Sequence, residues 1–506
     1  MIVIDGKEVR INRETAVVSE VERVYCELCE YILKKGLRTH NRTGVDTKSI
    51  ANWQHIFDIS EFFPIMETKL VNAKNFASEI QWIHQVQSNV VAWLQERGNH
   101  IWDKWVVDED GIYRIYEQGD NAVNEPDREV PLTVQIFNEK TGEVDKIPAR
   151  LEIDEKTGKE QAVPLPVEYV YNKETKKMDI VIVDPEHNKP TMIKPFKKYD
   201  EKGNELTIKE AVYFGKEYAG TIGEAYGFIT GEYKMPQCVE YRLKYNPTDR
   251  RMIINLLQNG HLPKAVLPSC VFLAIFKTTP DGKLHSNITQ RSADVPVGVP
   301  FNFAQYALLT YMFAKANGYK VGTMAWNIQD THIYVDQIKG INKQLQRYKY
   351  MLYYSNYIQN HTDEEIEEKY YDVLNRYNLV NNRVFKLLEL VSSKTDTPLT
   401  KEAFEKIPMS KRYEMLEKLD KNILGAQDSN IAKIYENMFE RKICFEHMLT
   451  RENPVLEVAQ HDSFFDYSTD YVEKGDPYLK ENPIGNKDLV LKGYHPTPFI
   501  SMPVAQ

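Results

Sequence analysis

A chain of 506 residues, 42% hydrophobic and 11% aromatic, carries enough apolar side chain to bury the cores of roughly two to four domains, which excludes a disordered tail. A formal charge of -9 argues against gripping duplex DNA, so no direct DNA binding is expected, while a local basic pocket for a small anion stays open. No apolar run approaches the ~18 residues of a membrane span, MIVIDGKEVRINRET lacks the apolar core of a secretory leader, and the five cysteines are too scattered for a disulfide framework, so no membrane partner and a cytoplasmic location are expected.

In chain order, a short strand is followed by an amphipathic helix in ETAVVSEVERVYCELCEYILKK, where Cys26 and Cys29 fall within the helical pattern. No second Cys-x-x-Cys or His pair completes a zinc site, so the two thiols read as helix packing and no metal is expected. THNRTGVDTKSIANWQHIFDIS then reads as a glycine-containing loop, able to present an arginine, and a strand. From about 69 to 97 the pattern is helical, with Gly98 placed where that helix stops. Residues 118–218 change character: NEKTGE, DEKTGKE, NKETKK and DEKGNE turns separate short apolar runs, predicting a hairpin-rich accessory domain. Residues 348–448 change again, to charged helical sequence, predicting a helical insertion. The remaining segments, 1–117, 219–347 and 449–506, read as one α/β core in which strands alternate with a long apolar helix.

The chemistry gathers in that core. Cys270 follows VLPS and precedes VFLAIF, which puts it at the start of a buried strand. A buried cysteine is usually a small apolar residue. Arg250 and Arg251 shortly before it, and Gln290-Arg291-Ser292-Ala293-Asp294 shortly after, change the reading, because guanidinium groups bind phosphate and favour a thiolate.

LPSC, QRSAD, GVPFNFAQYALL, DTHIY and the terminal GYHPTPFISMPVA resemble the motifs of thymidylate synthase. NRTG near the N-terminus, TK at 68–69, the helix with Glu79, IWDKW at 101–105, EAYG at 224–227 and DRR at 249–251 occur in that family's order. Arg251 precedes Cys270 by 19 positions and Asn302 precedes His332 by 30, both in the family's register. The resemblance covers 1–117, 219–347 and 449–506 and leaves the other two segments as insertions. It implies an α/β (α+β) core whose large mixed sheet packs back to back against that of a second copy, in a homodimer with shared active sites.

The resemblance also implies roles. Cys270 would add to C6 of deoxyuridylate (dUMP), making C5 nucleophilic, and Arg291 would keep the thiol ionised while contacting the phosphate. Arg42, Arg250, Arg251 and Ser292 would complete the phosphate site, the Arg250-Arg251 pair reaching in from the other subunit. Glu79 would move protons through water, and Tyr226 would assist loss of the C5 proton. Asn302 would read uracil, and His332 and Tyr334 the sugar 3′-hydroxyl. The one-carbon donor would be 5,10-methylenetetrahydrofolate, held by Lys69, Ile101, Trp102, Trp105, Leu267, Gly298 and Phe301. Asp294 belongs to both ligand sets.

Three positions depart from the family. Val271 stands in place of a histidine, Gln329 in place of a glycine, and Gln506 ends the chain in place of an apolar residue. A polar end on the segment that closes over the ligands could admit water, which would give a hydroxymethyl product instead of methyl, as in the viral deoxyuridylate hydroxymethylases. A catalytically idle nucleotide-binding or assembly relative is the third reading, and intact Cys270, Glu79, Arg291 and Asn302 speak against it.

Overall fold

Six strands form the main sheet: β1 (Leu37–Thr39), β2 (Thr47–Asp58), β3 (Ile253–Asn255), β4 (Val271–Thr278), β5 (Lys283–Asp294) and β6 (Lys320–Tyr334). Their spatial order is β3-β4-β5-β6-β2-β1, and the sheet is mixed, with β5 and β6 the one parallel neighbouring pair. This is a computed structural model, and it describes residues 1–506 except 41–43, 118–124, 126, 197–204, 393–398, 419–429 and 505–506. Arg42 and Gln506 therefore lie outside the described residues.

Two helices pack near the N-terminal part of the core. Helix α1 (Glu20–Lys35) starts at Ser19, whose side chain accepts from the Glu22 amide, and it buries Cys26 and Cys29 completely. Helix α2 (Ala73–His84) is capped by Asn72 and ends earlier than the periodicity predicts. The chain breaks at Gln87, which adopts φ 58°, and only a short helical turn at Ala92–Gln95 follows before Gly98 at φ 69°. The break lets Val90 pair with Thr221, a tertiary contact that overrides local helix preference.

Parallel strands need a crossover, and helix α3 (Gly298–Ala316) supplies it between β5 and β6. It is apolar around most of its circumference because it is enclosed on nearly all sides. Phe303 meets Trp326 of β6 and Phe57 of β2, each with ring centroids 5.0 Å apart. Burying such a ring contributes about 1.5–3 kcal/mol, so this seam fixes where the first turn of α3, with Asn302, faces the sheet.

A second six-stranded sheet stands beside the core. Its main order is Ile112–Tyr116, Ile208–Tyr213, Val130–Asn138, Glu143–Ile153 and Glu160–Pro164, with Met192–Ile193 added against Val130–Asn138. Two of its turns and the turn of a separate hairpin, Val167–Asn172 with Lys177–Ile182, use one local chemistry: Asn138, Asp154 and Asn172 each accept from the backbone N–H two residues on, at 3.0 Å. Val107, Tyr113 and Val266, with Trp105 against them, join this sheet to the core.

Helix α4 (Ile338–Asn360) follows β6 through one tight turn and runs unbroken past position 348. With α5 (Asp363–Ser392) and α6 (Ile431–Thr450) it builds a helical layer whose core stacks Tyr354 on Phe445 at 4.1 Å. Ile2 and Ala16 are buried in the same cluster, so the N-terminal residues pack on this layer.

Candidate active site

Cys270 occupies the bend immediately before β4 and is half-buried. Arg291, on the neighbouring β5, is fixed by two carbonyls, donating from Nε to Ser269 at 3.1 Å and from Nη2 to Pro268 at 2.8 Å. That grip leaves Nη2 3.7 Å from the Cys270 sulfur. A permanent cation thus sits against the thiol, in the arrangement that favours the nucleophilic thiolate. The Cys270 amide donates to the Tyr226 hydroxyl oxygen at 3.2 Å. Tyr226 itself holds φ 48°, costly for a bulky residue, directly before Gly227, where a Cβ would meet the Ser88 carbonyl oxygen at 1.9 Å. Only glycine permits that approach. Burial pushes the Tyr226 phenol well above its usual range.

Glu79 projects from α2 and is buried, with neutral donors on both oxygens: Trp102 Nε1 at 2.7 Å and the Gln305 side-chain amide. Loss of water outweighs those two hydrogen bonds, and its pKa rises to about 7. A carboxyl with that value exchanges protons readily near neutrality. Gln305 also connects Glu79 to Asn302, whose Nδ2 donates to Gln305 Oε1 at 3.0 Å, while Asn302 Oδ1 accepts from Gln290 Nε2 at 3.2 Å. The amide of Asn302 is oriented at both ends. Its oxygen and its NH2 group each retain one hydrogen-bonding position, one acceptor and one donor.

At the far end of β5 and β6, the register sets Ser292 opposite Asp330 and Asp294 opposite His332. Asp330 accepts from Ser292 Oγ at 3.1 Å and pairs with His332 Nδ1 at 3.0 Å, and the His332 contact holds the Asp330 carboxyl below its usual range. The ring of Tyr334 meets that of His332 edge-on at 5.1 Å. Asp294 is held by Gln337 Nε2 at 2.9 Å, and burial raises its pKa. The same Gln337 amide donates to the Pro503 carbonyl at 2.9 Å, which ties the C-terminal segment to the site. Lys69 donates to the Pro296 carbonyl, and burial lowers its pKa to about 8.

A sequence model described as thymidylate synthase matches residues 23–379. The chain belongs to the thymidylate synthase family. Thymidylate synthases of Listeria monocytogenes serotype 4a and Listeria innocua are each 30% identical to it over 326 residues, covering 64% of this chain and 86% of theirs. A solved structure of thermostable thymidylate synthase A from Bacillus subtilis overlaps it with a TM-score of 0.40 at 23% identity, covering 65% of this chain and 84% of that one. As a thymidylate synthase, the chain is a C5-methyltransferase of pyrimidine nucleotides, and the family's cosubstrate is a reduced folate.

The contacts above make two groups, Cys270 with Tyr226 and Arg291, and Glu79 with Gln305 and Asn302. Trp102 connects them, donating to Glu79 and lying with ring centroids 5.1 Å from Tyr226 and 5.7 Å from Trp105. Ile101, Leu267 and Phe301 are half-buried against the same core, and Gly298 opens α3 one turn before Asn302. Arg250 and Arg251 stand apart: both are exposed, and Arg251 clasps Asp249 through Nε and Nη2 at 3.0 and 2.9 Å. Neither is hydrogen-bonded to Arg291 or Ser292 among the described residues. Val271 is buried in the sheet and Gln329 is exposed on β6. Among the described residues no group of acids, histidines and cysteines could hold a metal, and no helix is long and apolar enough to cross a membrane.

Four residues to which sequence reasoning gave no role of their own position the others: Gln290, Gln305, Asp330 and Gln337. A signal for two of them existed. Gln305 is three residues beyond Asn302 on one helix face, and Asp330 is two before His332 on one strand face. Gln290 and Gln337 are recognisable only once β5, α3 and the C-terminal segment are together.

Proposed function

We propose that the chain transfers one carbon from 5,10-methylenetetrahydrofolate to C5 of deoxyuridylate through a covalent bond from Cys270 to C6, giving thymidylate. The observation that carries this reading is the Arg291 guanidinium 3.7 Å from the Cys270 sulfur, at the head of β4. The thiolate adds to C6, and the electron pair moves through the ring to make C5 nucleophilic. The folate, when bound, supplies the carbon and the hydride that reduces it to methyl. Glu79 relays protons through water to the uracil O4, and Tyr226 assists removal of the C5 proton, whose electron pair breaks the bond from the transferred carbon to the folate nitrogen; hydride arriving at that carbon then returns an electron pair to the ring, which expels Cys270.

Asn302 accepts from N3–H and donates to O4 with its two remaining positions, while His332 and Tyr334 take the sugar 3′-hydroxyl. Arg291, Ser292 and Arg42 meet the phosphate, joined by Arg250 and Arg251 from the second copy of a homodimer, which accounts for their exposure in one chain. Lys69, Ile101, Trp102, Trp105, Leu267, Gly298 and Phe301 form the folate side, with Asp294 as its acid. The flat faces of Trp102 and Trp105 suit a pterin. The core is 1–117, 219–347 and 449–506, with Ile112–Tyr116 the strand by which it passes into the second sheet, and the location is cytoplasmic. The relatives named above are thymidylate synthases, which favours methyl over the hydroxymethyl alternative.

The test is to incubate the full-length protein with deoxyuridylate and 5,10-methylenetetrahydrofolate and to identify both products. Thymidylate with dihydrofolate is expected; hydroxymethyl-deoxyuridylate with tetrahydrofolate would replace this reading. In Cys270→Ala, turnover is expected to vanish while deoxyuridylate binding stays within about tenfold, because the arginines and Asn302 remain. Turnover near the wild-type rate in that variant would remove Cys270 from the mechanism.

A further inference from the structure

The helical layer carries a cavity of about 410 Å³ that shares no lining residue with the site described above. It lies between α4, α5 and α6, and its chemistry differs from that of an ordinary helix seam. Four cations line it, Lys349 and Lys369 with Arg376 and Arg441, against a single carboxylate, Asp372. Arg376 Nε engages that carboxylate at 2.8 Å, and Lys349 is drawn to Glu30 of α1 at 3.0 Å. Lys369 and Arg441 have no carboxylate partner among the described residues. Arg441 lies over the ring of Tyr350, 5.2 Å from its centroid, and Lys369 lies 6.0 Å from that of Tyr357. In a chain of formal charge -9, two uncompensated cations facing one hollow form a local anion site.

The second feature is aromatic. Tyr354 is buried and stacked on Phe445, whereas its neighbour Tyr353, braced edge-on against Tyr354 at 5.1 Å, stays 50% exposed while lining the cavity. A braced ring with an open face offers a stacking surface at little entropic cost. The volume decides between the ligands these groups could take. About 410 Å³ lies within the range of small-molecule sites and far exceeds what an inorganic anion fills. We propose that this cavity binds a nucleoside phosphate, with its phosphate oxygens on Lys369 and Arg441 and its base against Tyr353, as a second nucleotide site outside the catalytic core.

The experiment is equilibrium dialysis of the full-length protein against ATP, which carries both halves of the recognised chemistry on a purine. Tripolyphosphate and adenosine serve as the separate halves. One ATP per chain is expected, with tripolyphosphate and adenosine each bound at least tenfold more weakly. Lys369→Glu and Arg441→Glu should each weaken ATP at least tenfold, and Tyr353→Ala at least fivefold. Lys369→Glu should keep the wild-type melting temperature and rate of thymidylate formation, which separates a lost site from a lost fold. ATP affinity within twofold of wild type in both charge reversals overturns the proposal, as does absence of ATP binding to wild type. Tripolyphosphate binding as tightly as ATP overturns the nucleoside part, and a single-stranded oligodeoxynucleotide that binds the cavity without being displaced by ATP replaces the occupant.

Discussion

Glu79, on the wall of the candidate active site, and Glu440, on α6 beneath the C-terminal segment, are both buried carboxylates, yet different partners meet them. Glu79 receives only neutral donors, the Trp102 indole and the Gln305 amide. Glu440 receives the Arg347 guanidinium, from Nε at 2.5 Å and Nη2 at 3.2 Å, and Lys343 at 3.1 Å. Arg347 then spends its remaining donor, Nη1, on the Thr68 carbonyl at 3.0 Å, Thr497 Oγ1 at 3.2 Å and the Pro498 carbonyl. One carboxylate is part of a clamp joining the helical layer, the residue before Lys69 and the closing segment. The other is left with a proton it can give up near neutrality. Neutral hydrogen bonds stabilise a buried carboxylate less than desolvation destabilises it, whereas a bidentate guanidinium offsets much of that cost.

The comparison can be broken at the clamp first. Removing one partner of a buried ion pair leaves an uncompensated charge, so Arg347→Met should cost about 3–5 kcal/mol in denaturant unfolding. Replacing both partners, Arg347→Met with Glu440→Leu, should recover part of that loss, because no charge is then stranded. A loss below about 1 kcal/mol in the single variant would mean that Glu440 is not held as described.

At Glu79 the sign is opposite to that of an ion-paired acid. Its folded pKa, about 7, lies above the ordinary 4.5, so the folded state holds the proton more tightly. The stability this contributes is complete below pH 4.5 and is lost as pH rises through 7. Against wild type, Glu79→Gln should therefore gain stability progressively between those values, by on the order of 3 kcal/mol above pH 7. Melting temperatures of the two proteins that run parallel from pH 4.5 to 8 would show that Glu79 keeps an ordinary pKa.

The smallest expected effect concerns base choice at the other end of the amide chain. Uracil offers a donor at N3 and an acceptor at O4, cytosine the reverse, and Asn302 cannot simply flip while Gln290 and Gln305 orient it. Asn302→Asp supplies a carboxyl group that can accept from the cytosine amino group. It should shift relative kcat/KM toward deoxycytidylate by at least tenfold, about 1.4 kcal/mol. Competition assays giving one preference for both proteins would remove Asn302 as the base reader.

Much of the core was legible in short stretches. The apolar run after Cys270 is β4, the long apolar helix is α3, and the N-terminal Cys-x-x-Cys is packing within α1. The helix expected from about 69 to 97 was not legible as two pieces, because nothing local at Gln87 announces a left-handed residue. The positioning residues were hidden for a related reason: Gln337 becomes informative only when Asp294 and Pro503 stand on either side of it.

What the sequence determined by itself is what neighbouring residues settle between themselves. The turn at Asn138 closes because its own side chain accepts from Lys140, with Gly142 at φ 72° to complete it, and Asp154 and Gly158 repeat the solution. Tertiary structure alone decided that Ile208–Tyr213 lies between Ile112–Tyr116 and Val130–Asn138, pairing antiparallel with one and parallel with the other. It also decided the proton affinity of Glu79. Trp102 and Gln305 are 23 and 226 positions away from that carboxylate, and the water they displace around it is a property of the folded interior.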